Sequence, residues 1–359
     1  MRAVLLTEYG DRSKLQIGEI PEPEPGPDDV LVRIVAAGLN RLDLFVREGL
    51  TGPGVRSPRV LPHVMGAEGA GVVLEVGAHA ETDLVAGDEV MVFPGLSCRR
   101  CRYCRRGQTS RCAQYAILGE DVWGVQRERI ALHPDSLLRV PQGMTLEQAA
   151  AVPTTYTTAW TMLMSAGQLR VGERVLVVGA SGGVSVAAIQ IAARAGAEIW
   201  ATTRGPAKVA QIAALPGVRG VIDSSEEDWH QRVLDATDGS GVDLVVESVG
   251  APTWRNSIRS LAQGGRMMLC GATGGDQPSI SIREVYQSHR QIIGAPFGGW
   301  NDFVDVAEML ARSQLRPLLH AVLPMEQIAE GHQLLEYSAH VGKVVVRVNG
   351  SQDLVTHRV

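Results

Sequence analysis

The stretch RVLVVGASGGVSVAAIQIAARAG, residues 174–196, decides the fold. A short apolar run meets a glycine-rich turn, and the turn opens into an Ala- and Ile-rich helical pattern. Strand, turn and helix N-terminus in that order make an anion site, because backbone N–H groups and the helix dipole face a pyrophosphate. Set against the template G-x-G-x-x-G, the three positions are Ala180, Gly182 and Ser185. The middle glycine matches, and it is the one where backbone must approach phosphate closely; the third position needs only a small residue. Outward from this turn, EIWATT (198–203), AKVAQIAAL (207–215), GVID (220–223), a helix through 226–236 and VDLVVE (242–247) alternate short buried strands with helices. GRMMLCG (265–271) and RQIIGAP (290–296) add two strands. Such alternation predicts βαβ units and a doubly wound parallel sheet, an α/β fold.

Upstream the pattern is different. AVLLT (3–7), DVLVRIVAAGLN (29–40), GAGVVLEVG (69–77) and GDEVMVF (87–93) read as short strands, with a turn-rich PEPEPGPDD at 21–29. LEQAAAVPTTYTTAWTMLM (146–164) reads as helical, kinked or restarted at Pro153. GKVVVRV (342–348) reads as a strand returning to the first region. The expected organisation is a split domain, 1–153 plus 297–359, with a nucleotide domain, 154–296, inserted.

At 359 residues there is length for two cores. A net charge of -5 excludes a global basic field for nucleic acid. No apolar run approaches ~18 residues, so no membrane span is expected. The opening MRAVLLTEYG meets Glu8 before any signal-type apolar region, which predicts a cytoplasmic protein. Four of the five cysteines lie in CRRCRYCRRGQTSRC (98–112), spaced Cys98-x2-Cys101-x2-Cys104-x7-Cys112. In a reducing compartment this favours a metal over disulfides, and four thiolates saturate a tetrahedral ion. Cys270, in an apolar run, reads as a small core residue.

A site for NAD usually carries an acid about 20 residues past the turn to hold the ribose hydroxyls. The corresponding stretch, IWATTRGPAKV (199–209), has none. Thr203 takes the position, with Arg204 and Lys208 close behind, and a hydroxyl with two cations suits a 2′-phosphate. The expected cofactor is NADPH.

The chain resembles the medium-chain dehydrogenase/reductase superfamily. AAGLNRLDLFVREG (36–49) is similar to its first active-site segment, MGAEGAGVVLEVG (65–77) to its G-H-E-x-x-G-x-V motif, and GKVVVRV to its C-terminal strand. The resemblance implies a GroES-like β-barrel domain plus a Rossmann domain, and a structural zinc lobe at about 95–115 with Cys98, Cys101, Cys104 and Cys112 as ligands. In members that use zinc chemically, ligands stand where this chain has Asn40, Ala67 and Thr154. No catalytic zinc is expected, since neither methyl nor carboxamide replaces imidazole and thiolate. The resemblance further implies cofactor contacts from Thr158, Ser181, Gly182, Gly183, Val184, Cys270, Gly271, Phe297 and Lys343.

A zinc-free site suits hydride addition to an activated C=C bond, in an enone, enoyl thioester or quinone, better than direct carbonyl chemistry. Asn40 is the expected N–H donor, and Asp43 a positioning carboxylate. Phe45 stands where some relatives carry a tyrosine acid, which leaves Tyr156 as a substitute donor or a packed aromatic. Phe45, Trp123 and His63 are the pocket candidates. The alternatives are a zinc-independent alcohol/aldehyde oxidoreductase and a non-catalytic NADPH-binding scaffold. Arg99, Arg100, Arg102, Arg105, Arg106 and Arg111 form a basic cluster, read as a solvated loop or as a docking surface for an anionic thioester. The expected partner is a small-molecule substrate, and the resemblance implies a homodimer or tetramer through the edge strand RQIIGAP.

Overall fold

The computed structural model describes residues 1–49, 51 and 60–348. Positions 50, 52–59 and 349–359 of the expected split domain lie outside the described residues. The chain divides into two compact units, Met1–Thr154 with the segment from Gly299 onward, and Thr155–Gly298.

The second unit is a six-stranded sheet. Its spatial order is Val218–Asp223, Glu198–Thr203, Arg174–Val177, Val242–Glu247, Leu261–Leu269 and Gln291–Gly294. Every neighbouring pair is parallel. The order reverses between Arg174–Val177 and Val242–Glu247, which makes a doubly wound sheet with its switch point beside the glycine turn. Val175, Leu176, Val177, Leu244, Val245 and Val246 are all fully buried, so the middles of these strands are continuous apolar runs covered on both faces. The helix expected through 226–236 starts later, at His230, and the strand expected at 265–271 starts earlier, at Leu261. Cys270 is not a core residue of that strand: it lies half-buried just past its end.

In the first unit, the main sheet has the order Leu137–Arg139, Glu89–Val92, Glu68–Val76, Val30–Gly38, Lys343–Arg347 and Leu319–Pro324, with Arg129–Leu132 also paired to Val30–Gly38. The returning strand Lys343–Arg347 runs antiparallel to Val30–Gly38, with Val345 opposite Gly38. The unit also holds a three-stranded sheet, Leu15–Glu19, Arg2–Leu6 and His63–Val64, and a two-stranded one, Gly95–Leu96 with Ala116–Ile117. One apolar cluster, including Leu6, Val32, Ile34, Met65, Ile130 and Val346, fills it.

Pro153 breaks the helical stretch as expected. A short helix, Leu146–Ala149, ends before it, and Thr155–Trp160 begins after it. The latter continues as a π-helical turn, Thr161–Ser165, where the Thr161 hydroxyl donates to the Thr157 carbonyl at 3.0 Å.

Candidate active site and metal-binding lobe

Three segments of the first unit converge on one buried polar cluster. Asn40 precedes the helix Arg41–Glu48, Glu68 opens a strand, and Lys343 opens another. The Lys343 Nζ donates to Glu68 Oε1 at 2.6 Å, to Asn40 Oδ1 at 2.8 Å and to the Leu39 carbonyl at 2.6 Å. An ammonium has three donors, and all three are used. Asn40 Nδ2 donates to Glu68 Oε1 at 2.9 Å and, weakly, to the Gly38 carbonyl at 3.4 Å. The other Glu68 oxygen accepts the backbone N–H of Thr154 at 2.6 Å. Glu68 is fully buried and Lys343 only 4 % exposed. A side chain at position 38 would collide with Glu68 and with the Ala150 carbonyl, so the glycine lets the carboxylate in.

Asp43 sits beside this cluster, buried in the first helical turn. Its Oδ2 accepts the Asn40 N–H at 2.7 Å, and its own N–H donates to the Asn40 carbonyl at 3.0 Å. Burial pushes its carboxyl up to about 7; the N–H groups of Asn40 and Gly66 and the Lys343 ammonium pull the other way, while Glu68 adds to the rise. Asn40 and Asp43 are thus brought together with Lys343. The resemblance sets Lys343 among the cofactor contacts; here its ammonium donates to three protein acceptors. Glu68, a lone carboxylate in the second motif and too little for a tetrahedral metal site, is the member of this cluster that stands outside the expected site residues. A signal for Lys343 is present in the composition: the chain uses lysine three times against 31 arginines, and one of the three sits inside an apolar strand.

Phe45 is half-buried on the helix Arg41–Glu48, and Trp123 is 37 % exposed. His63 is buried with Nε2 3.1 Å from the Gly119 carbonyl, the state of a satisfied interior group rather than an open pocket wall. Tyr156 belongs to the second unit and is 1 % exposed. Burial drives its phenol upward, opposed by a hydrogen bond with Gln190.

The glycine turn stands at the carboxyl end of the central parallel strand. Gly179 has φ +65°, and its N–H donates to Thr202 Oγ1 at 3.2 Å. Gly182 precedes the helix Gly183–Arg194 with no side-chain cap, which leaves the first helical N–H groups without an intrahelical partner. A Cβ at Gly182 would meet nothing closer than 3.8 Å, so the space over the turn is open to a phosphate. Ser181 is buried at the turn, Gly183 and Val184 are half-buried in the first turn of the helix, and Ser185 is packed beneath. Thr203 is buried at the end of the next strand and Arg204 beyond it is exposed; Lys208 is half-buried. Cys270 and Gly271 follow the end of a third strand at the same edge of the sheet, and burial pushes the Cys270 thiol up to about 12. Phe297 and Thr158 are buried in this unit. Glu247, fully buried at that edge, accepts N–H groups from Val249 and Gly250 at 2.7 and 3.0 Å and the Thr253 hydroxyl at 2.9 Å, and so fixes the turn after its strand.

In the cysteine lobe the sulfur atoms of Cys98, Cys101, Cys104 and Cys112 lie within 4.8 Å of one another. The Cys98–Cys104 and Cys101–Cys104 separations are 3.9 and 3.5 Å. Tetrahedral zinc with Zn–S near 2.3 Å sets sulfurs about 3.8 Å apart, so the cluster fits the ion. Backbone N–H groups of Cys98 and Gln114 point at the Cys112 sulfur, at 3.5 and 3.3 Å, and those of Arg100 and Cys101 hold the Cys98 thiol down at about 6. Among the described residues this is the only group of three or more His, Cys, Asp or Glu side chains able to hold a metal. The six lobe arginines are all exposed; Arg99 pairs with Asp135 at 3.2 Å and Arg102 lies over the Tyr103 ring. Among the described residues, no helix is long and apolar enough to cross a membrane.

Residues 26–142 match the family described as the alcohol dehydrogenase GroES-like domain, and residues 183–312 match the zinc-binding dehydrogenase family. An acryloyl-coenzyme A reductase of Sulfurisphaera tokodaii is 28% identical over 348 residues, covering 97% of this chain and 100% of that protein. A quinone oxidoreductase of Pseudomonas aeruginosa is 28% identical over 355 residues, covering 96% and 99%. A solved NAD-dependent alcohol dehydrogenase is 39% identical with a TM-score of 0.91, covering 97% of this chain and 100% of the other.

Proposed function

The chain belongs to the medium-chain dehydrogenase/reductase superfamily, and within it we propose an NADPH-dependent reductase that adds hydride to an activated C=C bond without a metal ion at the site of chemistry. The substrate class is an enone, an enoyl thioester or a quinone. The observation that carries this reading is the donor set at positions 40, 67 and 154. A carboxamide, a methyl and a hydroxyl stand there, and the carboxamide is bound to a lysine–glutamate pair. Catalytic zinc needs three protein ligands and one open position, and this set does not supply them.

Direct carbonyl reduction without a Lewis acid forgoes several kcal/mol of stabilisation for the developing alkoxide. A conjugated acceptor spreads the same charge as an enolate, where hydrogen-bond donors suffice. NADPH, when bound, supplies the hydride. The Gly179–Val184 turn and the first N–H groups of its helix would hold the pyrophosphate, and Thr203, Arg204 and Lys208 the 2′-phosphate. Asn40 Nδ2 donates to the oxygen on which charge develops. Asp43 holds the Asn40 backbone and so fixes where that donor starts, and solvent supplies the final proton. The likeness to an acryloyl-coenzyme A reductase and to a quinone oxidoreductase supports C=C reduction. The likeness to an NAD-dependent alcohol dehydrogenase favours a second reading, alcohol/aldehyde interconversion on the same zinc-free site.

We further infer that the cysteine lobe holds one structural Zn2+, and that two chains pair through Gln291–Gly294, which ends the parallel sheet as an edge strand. The test is NADPH oxidation followed over a panel of enones, enoyl thioesters and quinones, with product analysis. Steady turnover with C=C reduced is expected. Reduction of C=O alone would favour the second reading. Arg204→Ala is expected to raise KM for NADPH roughly 10-fold or more, the loss of one charge-assisted contact, and to leave NADH unaffected. Equal kcat/KM for NADH and NADPH in the wild type would overturn the cofactor assignment.

A further inference from the structure

We propose that the Lys343–Glu68 pair is a positioning device that sets which face of the Asn40 carboxamide meets the substrate. The proposal rests on the donor role just given to Asn40 and names the residues through which that role is exercised.

Asn40 stands at the N-cap position of its helix, where an asparagine side chain ordinarily folds back onto the helical N–H groups. Here it makes no such cap bond. Its Oδ1 accepts from the Lys343 ammonium at 2.8 Å, and its Nδ2 donates to Glu68 Oε1 at 2.9 Å. A carboxamide can flip by 180° when its two ends see similar partners. In this cluster they do not: a flipped amide would set N–H against ammonium and C=O against carboxylate. The cation and the anion therefore fix one orientation. Two of the four hydrogen-bonding positions of the amide are held by the pair, and a third is the remaining Nδ2 hydrogen, whose contact with the Gly38 carbonyl is long at 3.4 Å. That hydrogen is the one available to a stronger acceptor, such as an oxygen gaining charge. Lysine rather than arginine fits the place, since three acceptors converge on one nitrogen and a planar fork cannot satisfy them.

The experiment compares Asn40→Ala, the paired variant Lys343→Met with Glu68→Gln, and the triple variant. Changing both members of the pair leaves no lone buried charge, and the carboxamide introduced at position 68 keeps an oxygen for the Thr154 N–H. Retained Tm and lobe metal content check the fold. Asn40→Ala is expected to lower kcat on the order of 10²-fold, the typical loss for one oxyanion donor. The paired variant is expected to lower kcat similarly with NADPH affinity unchanged, and the triple variant to lose no more than Asn40→Ala alone. A triple variant whose loss is the product of the two, or a paired variant that loses NADPH affinity at unchanged kcat, overturns the proposal. A second readout does not depend on activity. The chain has four asparagines, so selective 15N-Asn labelling with Asn40→Ala assigns the Asn40 amide signals. Two widely separated N–H signals that collapse toward a solvent-exposed amide in the paired variant support positioning; signals identical in both proteins overturn it. Should the wild type reduce no member of the substrate panel, the proposed function fails while the amide signals still decide the orientation claim.

Discussion

Glu68 Oε2 accepts the backbone N–H of Thr154 at 2.6 Å across 86 positions of chain, while Glu68 Oε1 accepts from Lys343, 275 positions away. One carboxylate thus joins the segment at Thr154 and its own strand, Glu68–Val76, to the returning strand Lys343–Arg347. Glu68→Ala strips a buried ammonium of its counter-charge and removes the acceptor of a buried N–H. The expected loss is about 3–5 kcal/mol, read from urea unfolding, because an unpaired buried charge is the costly state. The paired variant Lys343→Met with Glu68→Gln is expected to lose less than Glu68→Ala. A single variant as stable as the wild type would show the pair to be dispensable.

The cysteine lobe is expected to hold one zinc ion per chain and to take no part in the chemistry. Cys98→Ser with Cys104→Ser should abolish metal content by elemental analysis and lower Tm, while kcat per folded molecule changes only a few-fold. Four thiolates leave no open position for substrate. Two zinc ions per wild-type chain would bring down the metal-free reading of the active site.

Two buried groups should shape the pH dependence of stability in opposite senses. Burial, aided by Arg47 and Arg12, pushes His332 down to about 3, against an ordinary 6.5. The unfolded histidine takes up a proton that the folded one refuses, so this contribution is full above 6.5 and is lost as pH falls toward 3. Asp43 is raised from 3.8 to about 7, so its contribution is full below 3.8 and is lost as pH rises through 7. His332→Gln should flatten the acid limb of a Tm-against-pH curve. Asp43→Asn should gain stability relative to wild type on going from about pH 5 to about pH 8. Variant curves parallel to wild type would contradict both assignments.

Tyr156→Phe should leave kcat within about twofold and lower stability by roughly 1 kcal/mol, the net worth of one buried hydrogen bond, here with Gln190. A large fall in kcat at unchanged KM would restore the phenol as an acid.

How much of this can be read beforehand depends on how local each feature is. The glycine turn, the alternating strands and the cysteine spacing involve residues close in sequence, and pattern alone exposes them. The kink at Pro153 is legible for the same reason, though the π-helical turn after it is not, since a Thr161 hydroxyl on the Thr157 carbonyl leaves no periodic trace. The partners of Lys343, unlike the residue itself, are not legible in the sequence, because strand alternation gives the facing of a side chain only once the neighbouring strand is known. Val345 lies opposite Gly38, and that antiparallel register sets Lys343 against Leu39 and Asn40. His63 misleads in another way: a histidine near a motif carries no mark of whether its ring meets solvent or a carbonyl such as that of Gly119.

The lobe has one more consequence. Thr109 Oγ1 accepts the Trp300 backbone N–H at 3.0 Å, Gly107 abuts Asn301, and Trp300 packs edge-on against Phe93. Trp300 lies two residues past Gly298, where the chain comes back to a domain it left at Thr154. An interrupted domain has to recapture its own chain after a long excursion, and ending that excursion carries a loop-closure entropy. The four-cysteine loop therefore sits as a clasp at the point of re-entry. Cys98→Ser with Cys104→Ser is therefore expected to slow refolding from urea while leaving kcat per folded molecule little changed; a refolding rate equal to that of the wild type would contradict this.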